Sequence, residues 1–187
     1  MSLRISFELS QSDLDHFYEV MQRARENAKG ISQQQIIDSA NQLLAQVDGS
    51  DATDFIRDHM SQLETLIAML VDEGWGLIED DRERVLAALS YFDEPEDLIP
   101  DDVPGLGFLD DAIMIEIVCK ELEHEVRAYR EFVVFRATEA SRRGDDAPAL
   151  QKSDWLEERR QQLHSRMRRR RKGHSDGNKS KSPFSLF

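Results

Sequence analysis

The sequence predicts an all-α bundle. Apolar residues recur at helical spacing through most of the chain, helix-capping residues and glycines bracket those runs, and one stretch rich in Pro, Gly and Asp (residues 94–112) stands between two of them. At 187 residues and 40% hydrophobic, the chain suits one domain with an appendage.

Leu3, Ile5, Phe7 and Leu9 alternate with polar residues, which fits a short extended arm without an evident partner. Ser10 or Ser12 caps a first helix through Leu14, Phe17, Tyr18, Met21 and Ala28, and Gly30 stops it. A second starts at Ser32, with Gln35 placed to complete a capping box, and ends at Gly49. Its stripe is Ile36, Ile37, Ala40, Leu43, Leu44 and Val47. A third begins near Ser50 or Asp51, carries Phe55, Ile56, Met60, Leu63, Leu66, Ile67, Leu70 and Val71, and breaks at the Gly-Trp-Gly of 74–76. A fourth spans roughly 79–92. Beyond the Pro/Gly/Asp stretch one long helix is expected from Leu109 to Ser141, and a last from Asp154 to about Lys172. The last has few apolar residues, which reads as a helix that projects from the bundle. Residues 173–187 read as a disordered tail. The expected division is an acidic bundle over 1–145, a C-terminal helix with a basic end over 146–172, and the tail.

The net charge of −13 conceals two opposite regions. From Arg166 onward there are eight Lys or Arg and one acid, net +7, while the preceding residues hold 16 basic and 36 acidic side chains, net −20. The single cysteine, Cys119, rules out an intrachain disulfide. With no signal-like N-terminus and no long apolar run, a cytoplasmic setting and no membrane span are expected.

In residues 91–115 the order is Tyr91, Phe92, then Pro95, Asp97, Ile99, Pro100 and Asp101, then Pro104, Gly107, Phe108, Asp110 and Asp111. This pattern resembles the YkvA family of small bacterial proteins and matches about residues 82–122. The resemblance implies a helical hairpin with this stretch at its bend, and no mechanism, since the family's function is uncharacterised. Glu116, Lys120 and Glu121 interrupt a segment that is more hydrophobic in some relatives. The residues themselves leave two main readings of Asp97, Asp101, Asp110 and Asp111 open. They accept hydrogen bonds from backbone N–H groups at turns and helix starts, or they hold a divalent cation, for which oxygen-only ligands suit Mg²⁺, Ca²⁺ or Mn²⁺. Paired-carboxylate catalysis is a third reading, without a nearby nucleophile in sequence to support it.

Glu121 and His124 form a single Glu-x-x-His pair, where a di-iron bundle needs two. Glu116, Lys120, Glu123 and Arg127 read as a solvated face with i,i+4 ion pairs. Arg166, Arg168, Arg169, Arg170, Arg171 and Lys172 form a cationic run that suits nucleic-acid phosphates, an anionic membrane surface, or the chain's own acidic body. Phe184, Leu186 and Phe187 make an apolar tip; Ser185, Leu186 and Phe187 resemble the end of the bacterial sliding-clamp-binding motif. The reading that results is a non-catalytic interaction or adaptor protein that engages a protein partner through its C-terminal region. The alternatives are a nucleic-acid-associated protein and a divalent-metal-dependent activity at the aspartate stretch.

Overall fold

The structure, a computed structural model, describes residues 8–93, 99, 103, 106–143 and 154–177. Among them are seven α-helices and no strand, as an all-α bundle requires: α1 (Gln11–Asn27), α2 (Gln33–Asp48), α3 (Asp54–Val71), α4 (Glu79–Leu89), α5 (Leu109–Glu121), α6 (Glu123–Arg143) and α7 (Asp154–Gly177). A 3-10 turn, Ser90–Asp93, extends α4. The N-terminal arm and the tail beyond Gly177 lie outside the described residues.

Local chemistry starts the first three helices. Ser10 accepts from the Asp13 N–H while the Asp13 carboxylate takes the Ser10 N–H at 2.8 Å, a complete capping box. Ser32 caps α2 by accepting from the Gln35 N–H at 3.2 Å. The Gln35 side chain does not reach back as expected; its Nε2 donates to Asp93 at 3.3 Å, and Ser39 joins it there, tying α2 to the 3-10 turn. Thr53, rather than Ser50 or Asp51, caps α3.

Helix α3 is the central rod, in contact with α2, α4, α5 and α6. Met60, Leu63, Leu66, Ile67, Met69 and Leu70 bury its whole inner side. Phe55 and Val71, expected in that stripe, stay 47% and 55% exposed because they fall on its outer face. Helix α5 lies on α3, and α4 lies on α2 and α3. Four other helices therefore contact α3, and the bend of the hairpin expected over 82–122 lies largely outside the described residues.

Two expected boundaries change. The long helix from Leu109 to Ser141 is divided at Leu122, whose φ of −100° and ψ of 20° leave the helical region. Leu122 is fully buried there. Next to the break, the Arg84 guanidinium donates to the Glu121 carbonyl at 3.2 Å. The second change is at the C-terminus. Helix α7 runs to Gly177 and does not project: Leu156, Leu163 and Met167 are buried, and α7 lies along α6. Among the described residues no helix is long and apolar enough to cross a membrane.

Candidate functional site

The most elaborate polar chemistry lies where α7 meets the bundle. The seat for it is the turn after α3. Asp72 forms that turn by accepting from the N–H groups of Gly74 and Trp75 at 2.9 and 3.2 Å. The same carboxylate takes both guanidinium nitrogens of Arg136 at 2.8 and 2.7 Å and the Tyr129 hydroxyl at 3.2 Å. Burial by itself would raise the Asp72 pKa, but the hydrogen bonds and charge of Arg136, with the Trp75 N–H and Tyr129, outweigh it and hold it below the usual range. Tyr129 is pushed up to about 12 by burial and by the Asp72 charge.

The turn buries Trp75 completely, against Tyr129, Phe132 and His164. It also leaves two carbonyls facing α7. Arg160 donates to the Gly74 carbonyl at 3.2 Å, and His164 Nε2 lies 3.1 Å from the Trp75 carbonyl. A carbonyl can only accept, so His164 carries its proton on Nε2. Desolvation lowers the pKa of His164, more than the hydrogen bond to the Trp75 carbonyl raises it.

Toward its C-terminus α7 carries arginines into the body. Arg171 Nη1 reaches Asp81 at 2.6 Å and Glu125 at 3.0 Å. Those carboxylates are 0% and 1% exposed, at the first turns of α4 and α6. Arg84 adds a second cation 3.5 Å from Glu125, and Arg168 lies 3.9 Å from Asp81. Burying two carboxylates is costly unless cations accompany them. Arg171 supplies that charge from a helix that sequence reading had projecting into solvent. Arg166 pairs with Glu131 of α6. Arg169, Arg170 and Lys172 remain exposed. The cationic run is thus divided: Arg166, Arg168 and Arg171 meet carboxylates of the body, and three neighbours face outward.

The aspartate stretch is described only in part. Asp97 and Asp101 lie outside the described residues. Asp110 and Asp111, in the first turn of α5, are 2% and 6% exposed. Asp110 Oδ2 accepts the Ile99 N–H at 3.0 Å, which holds the loop onto the start of α5 and fits the backbone-acceptor reading. At the start of α5 Phe108 takes a positive φ of 64°. A left-handed phenylalanine costs about 1–2 kcal/mol, and burial of its ring offsets that cost. Among the described residues no group of three or more His, Cys, Asp or Glu is placed to hold a metal ion.

Lys120 pairs with Glu116 at 3.5 Å as expected, whereas Arg127 lies 3.9 Å from Glu131 rather than pairing with Glu123. Cys119 is pushed up to about 12, by burial first and then by the Glu116 charge, so it is a protonated thiol at neutral pH. Phe184, Leu186 and Phe187 lie outside the described residues. Sequence reasoning missed Asp72, Asp81, Glu125, Glu131, Arg136 and His164. The readable signal was Asp81 one turn before Val85 on a buried face, and Glu125 one turn after Leu122: carboxylates on apolar stripes.

Fold and site together show an all-helical bundle whose C-terminal helix is joined to the body through Arg166, Arg168 and Arg171. The model of a family described as a protein of unknown function (DUF1232) matches residues 84–117, a span that contains the Pro/Gly/Asp stretch. No curated protein and no solved structure matches the chain.

Proposed function

We propose that this is a non-catalytic interaction protein of YkvA-like type, which engages its partner through the C-terminal region. The observation that carries the reading is the bond from Arg171 to the buried Asp81 and Glu125. It fixes the rotation of α7 about its own axis. With that rotation set, Arg169, Arg170 and Lys172 stand exposed beside it at a defined place on an otherwise acidic body. A charged group held in register discriminates between partners better than the same group on a free tail, because the ordering cost is met within the fold. The Phe184, Leu186 and Phe187 tip follows ten residues after the end of Gly177 at most, and a two-anchor apolar peptide of this kind suits a pocket on a partner protein.

The test is affinity capture with the full chain as bait, beside two variants: Arg169→Glu with Arg170→Glu and Lys172→Glu, and Leu186→Ala with Phe187→Ala. A partner retained by the parent chain and lost from at least one variant, with melting unchanged, supports the reading. Undiminished capture by both variants overturns it.

A further inference from the structure

We propose that α7 is a detachable helix, released as one unit from a bundle that stays folded, and that a proton taken up by His164 releases it. The proposal concerns how α7 is held, and it stands or falls apart from the partner reading above.

The packing makes α7 separable. It lies along α6, while α3 meets α2, α4, α5 and α6 without it. Among the described side chains of α7, Leu156, Leu163 and Met167 are the buried apolar ones, whereas α3 buries seven residues out of 18. Apolar burial is the main non-directional force that holds a helix down, and an element with little of it opens separately from the rest. Without α7, helix α6 keeps its own hold on the end of α3, through Arg136 and Tyr129 on Asp72. The carboxylates that Arg171 meets keep some support too. Asp81 and Glu125 stand in the first turns of α4 and α6, where negative charge is favoured, and Arg84 remains 3.5 Å from Glu125. Detachment also lets water reach the oxygens that Arg168 and Arg171 now cover.

The hold on α7 is therefore largely polar, and His164 stands in the middle of it. Arg160, His164 and Arg168 follow at intervals of four and share a face of the helix. Arg160 donates to the Gly74 carbonyl, and His164 gives its Nε2–H to the Trp75 carbonyl. A proton added at Nδ1 would make His164 the central one of three cations in a row, and like charges four residues apart repel. The new N–H would find no acceptor, since Nδ1 is buried without a hydrogen-bond partner among the described residues. The carboxylates of the surrounding elements are already engaged. Asp81 of α4 takes Arg171 at 2.6 Å and has Arg168 3.9 Å away. Glu125 of α6 takes Arg171 and has Arg84 beside it, and Glu131 of α6 takes Arg166. Asp72, at the head of the turn, takes Arg136 and the neutral Tyr129 hydroxyl. The indole face of Trp75 attracts cations, yet it gives Nδ1–H no acceptor and leaves the flanking guanidiniums in place. In the detached helix the imidazole is hydrated and protonates at its ordinary value, so acid favours detachment. Burial, which lowers the pKa of the docked His164, acts in the same direction. Detachment uncovers the face of Trp75 on which His164 stacks, and it frees the C-terminal region from the register that Arg171 sets.

The experiment is hydrogen–deuterium exchange of the full chain, read peptide by peptide at about pH 7.5 and about pH 5.5 and expressed as protection relative to the free-peptide rate at each pH. The parent chain is compared with His164→Gln, whose amide can still donate to the Trp75 carbonyl but takes up no proton. It is also compared with Leu163→Ala, which thins the apolar seat and leaves the titrating group alone. In the parent, protection of α7 should fall severalfold at the lower pH while α2 and α3 keep theirs. In His164→Gln that fall should vanish. In Leu163→Ala, protection of α7 should be lower at both pH values, with the parent's dependence on pH retained. Should His164→Gln fail to fold, the ring protons of His164 in the parent chain, followed by NMR, should titrate with the same midpoint as the loss of α7 protection; separate midpoints overturn the proposal. So does protection of α7 that is equal at the two pH values or higher at the lower one. A loss shared by α3 overturns it as well, since the whole bundle would then be opening, and so does a fall that persists in His164→Gln.

Discussion

The imidazole of His164 lies flat against the indole of Trp75, with ring centroids 4.1 Å apart and planes 21° from parallel. Its Nε2–H is given to the Trp75 backbone, and its Nδ1 is buried without a hydrogen-bond partner. A second proton would have to enter at that nitrogen. It would stand between Arg160 and Arg168 on its own helix, with Asp81 of α4 as the opposing charge.

Stability should therefore rise with pH across the range in which His164 titrates. Its folded pKa lies below the ordinary 6.5. Between the two values the unfolded chain holds a proton that the folded one does not. The contribution is fully present above 6.5 and is lost as pH falls through the folded value. Melting temperature followed from about pH 5 to about pH 8 should climb and level off. His164→Gln should flatten that climb; an equally steep profile in the variant would contradict the assignment.

Arg171→Ala should be among the most destabilising substitutions of a surface-reaching arginine. It leaves two buried carboxylates short of their cation, for which a loss of about 3–5 kcal/mol is typical. Arg169→Ala, two residues earlier on the opposite side of the helix and exposed, should cost less than about 0.5 kcal/mol. Chemical denaturation of the two variants separates them, and similar midpoints would mean that α7 is not held by Arg171.

Asp72→Ala and Arg136→Ala should each cost about 3 kcal/mol, since each strands a partly buried charge. The double variant should cost clearly less than the two single losses added together, because the bidentate pair is then removed whole. A double-mutant cycle measures that difference; simple additivity would show that the pair contributes nothing as a unit.

Asp110→Ala should lower stability by about 1–2 kcal/mol, through the lost acceptor for the Ile99 N–H and the lost charge at the start of α5. If the carboxylate acts as a backbone acceptor, the loss is the same with and without added Mg²⁺, Ca²⁺ or Mn²⁺. A melting point that rises with one of these cations in the parent chain and not in the variant would instead favour the cation-binding reading of the aspartate stretch.

The parts of the fold legible in the sequence were those written locally. Ser10 and Ser32 announce their helices because a cap is a contact three residues long. The stripes of α2 and α3 follow from helical periodicity, apart from Phe55 and Val71 on the far side. The seating of α7 was not legible, for a physical reason. Its buried side is composed of Leu156, Leu163 and Met167 interleaved with Arg160, His164 and Arg171, and that mixture looks like a solvated helix until its partners are known. Those partners are remote: 90 residues separate Arg171 from Asp81, and 64 separate Arg136 from Asp72. No i,i+4 rule encodes such pairs. The division at Leu122 escaped likewise, because the group that donates to the neighbouring Glu121 carbonyl, Arg84, comes from a different helix.

The engagement of Arg171 has a practical corollary for anyone who shortens the chain. Clipping it just ahead of the arginine run looks like trimming an appendage, yet it would strip the counter-charge from the buried Asp81 and leave the buried Glu125 with Arg84 alone. Such a fragment would report on a weakened interior, and an activity missing from it would be wrongly credited to the piece cut away.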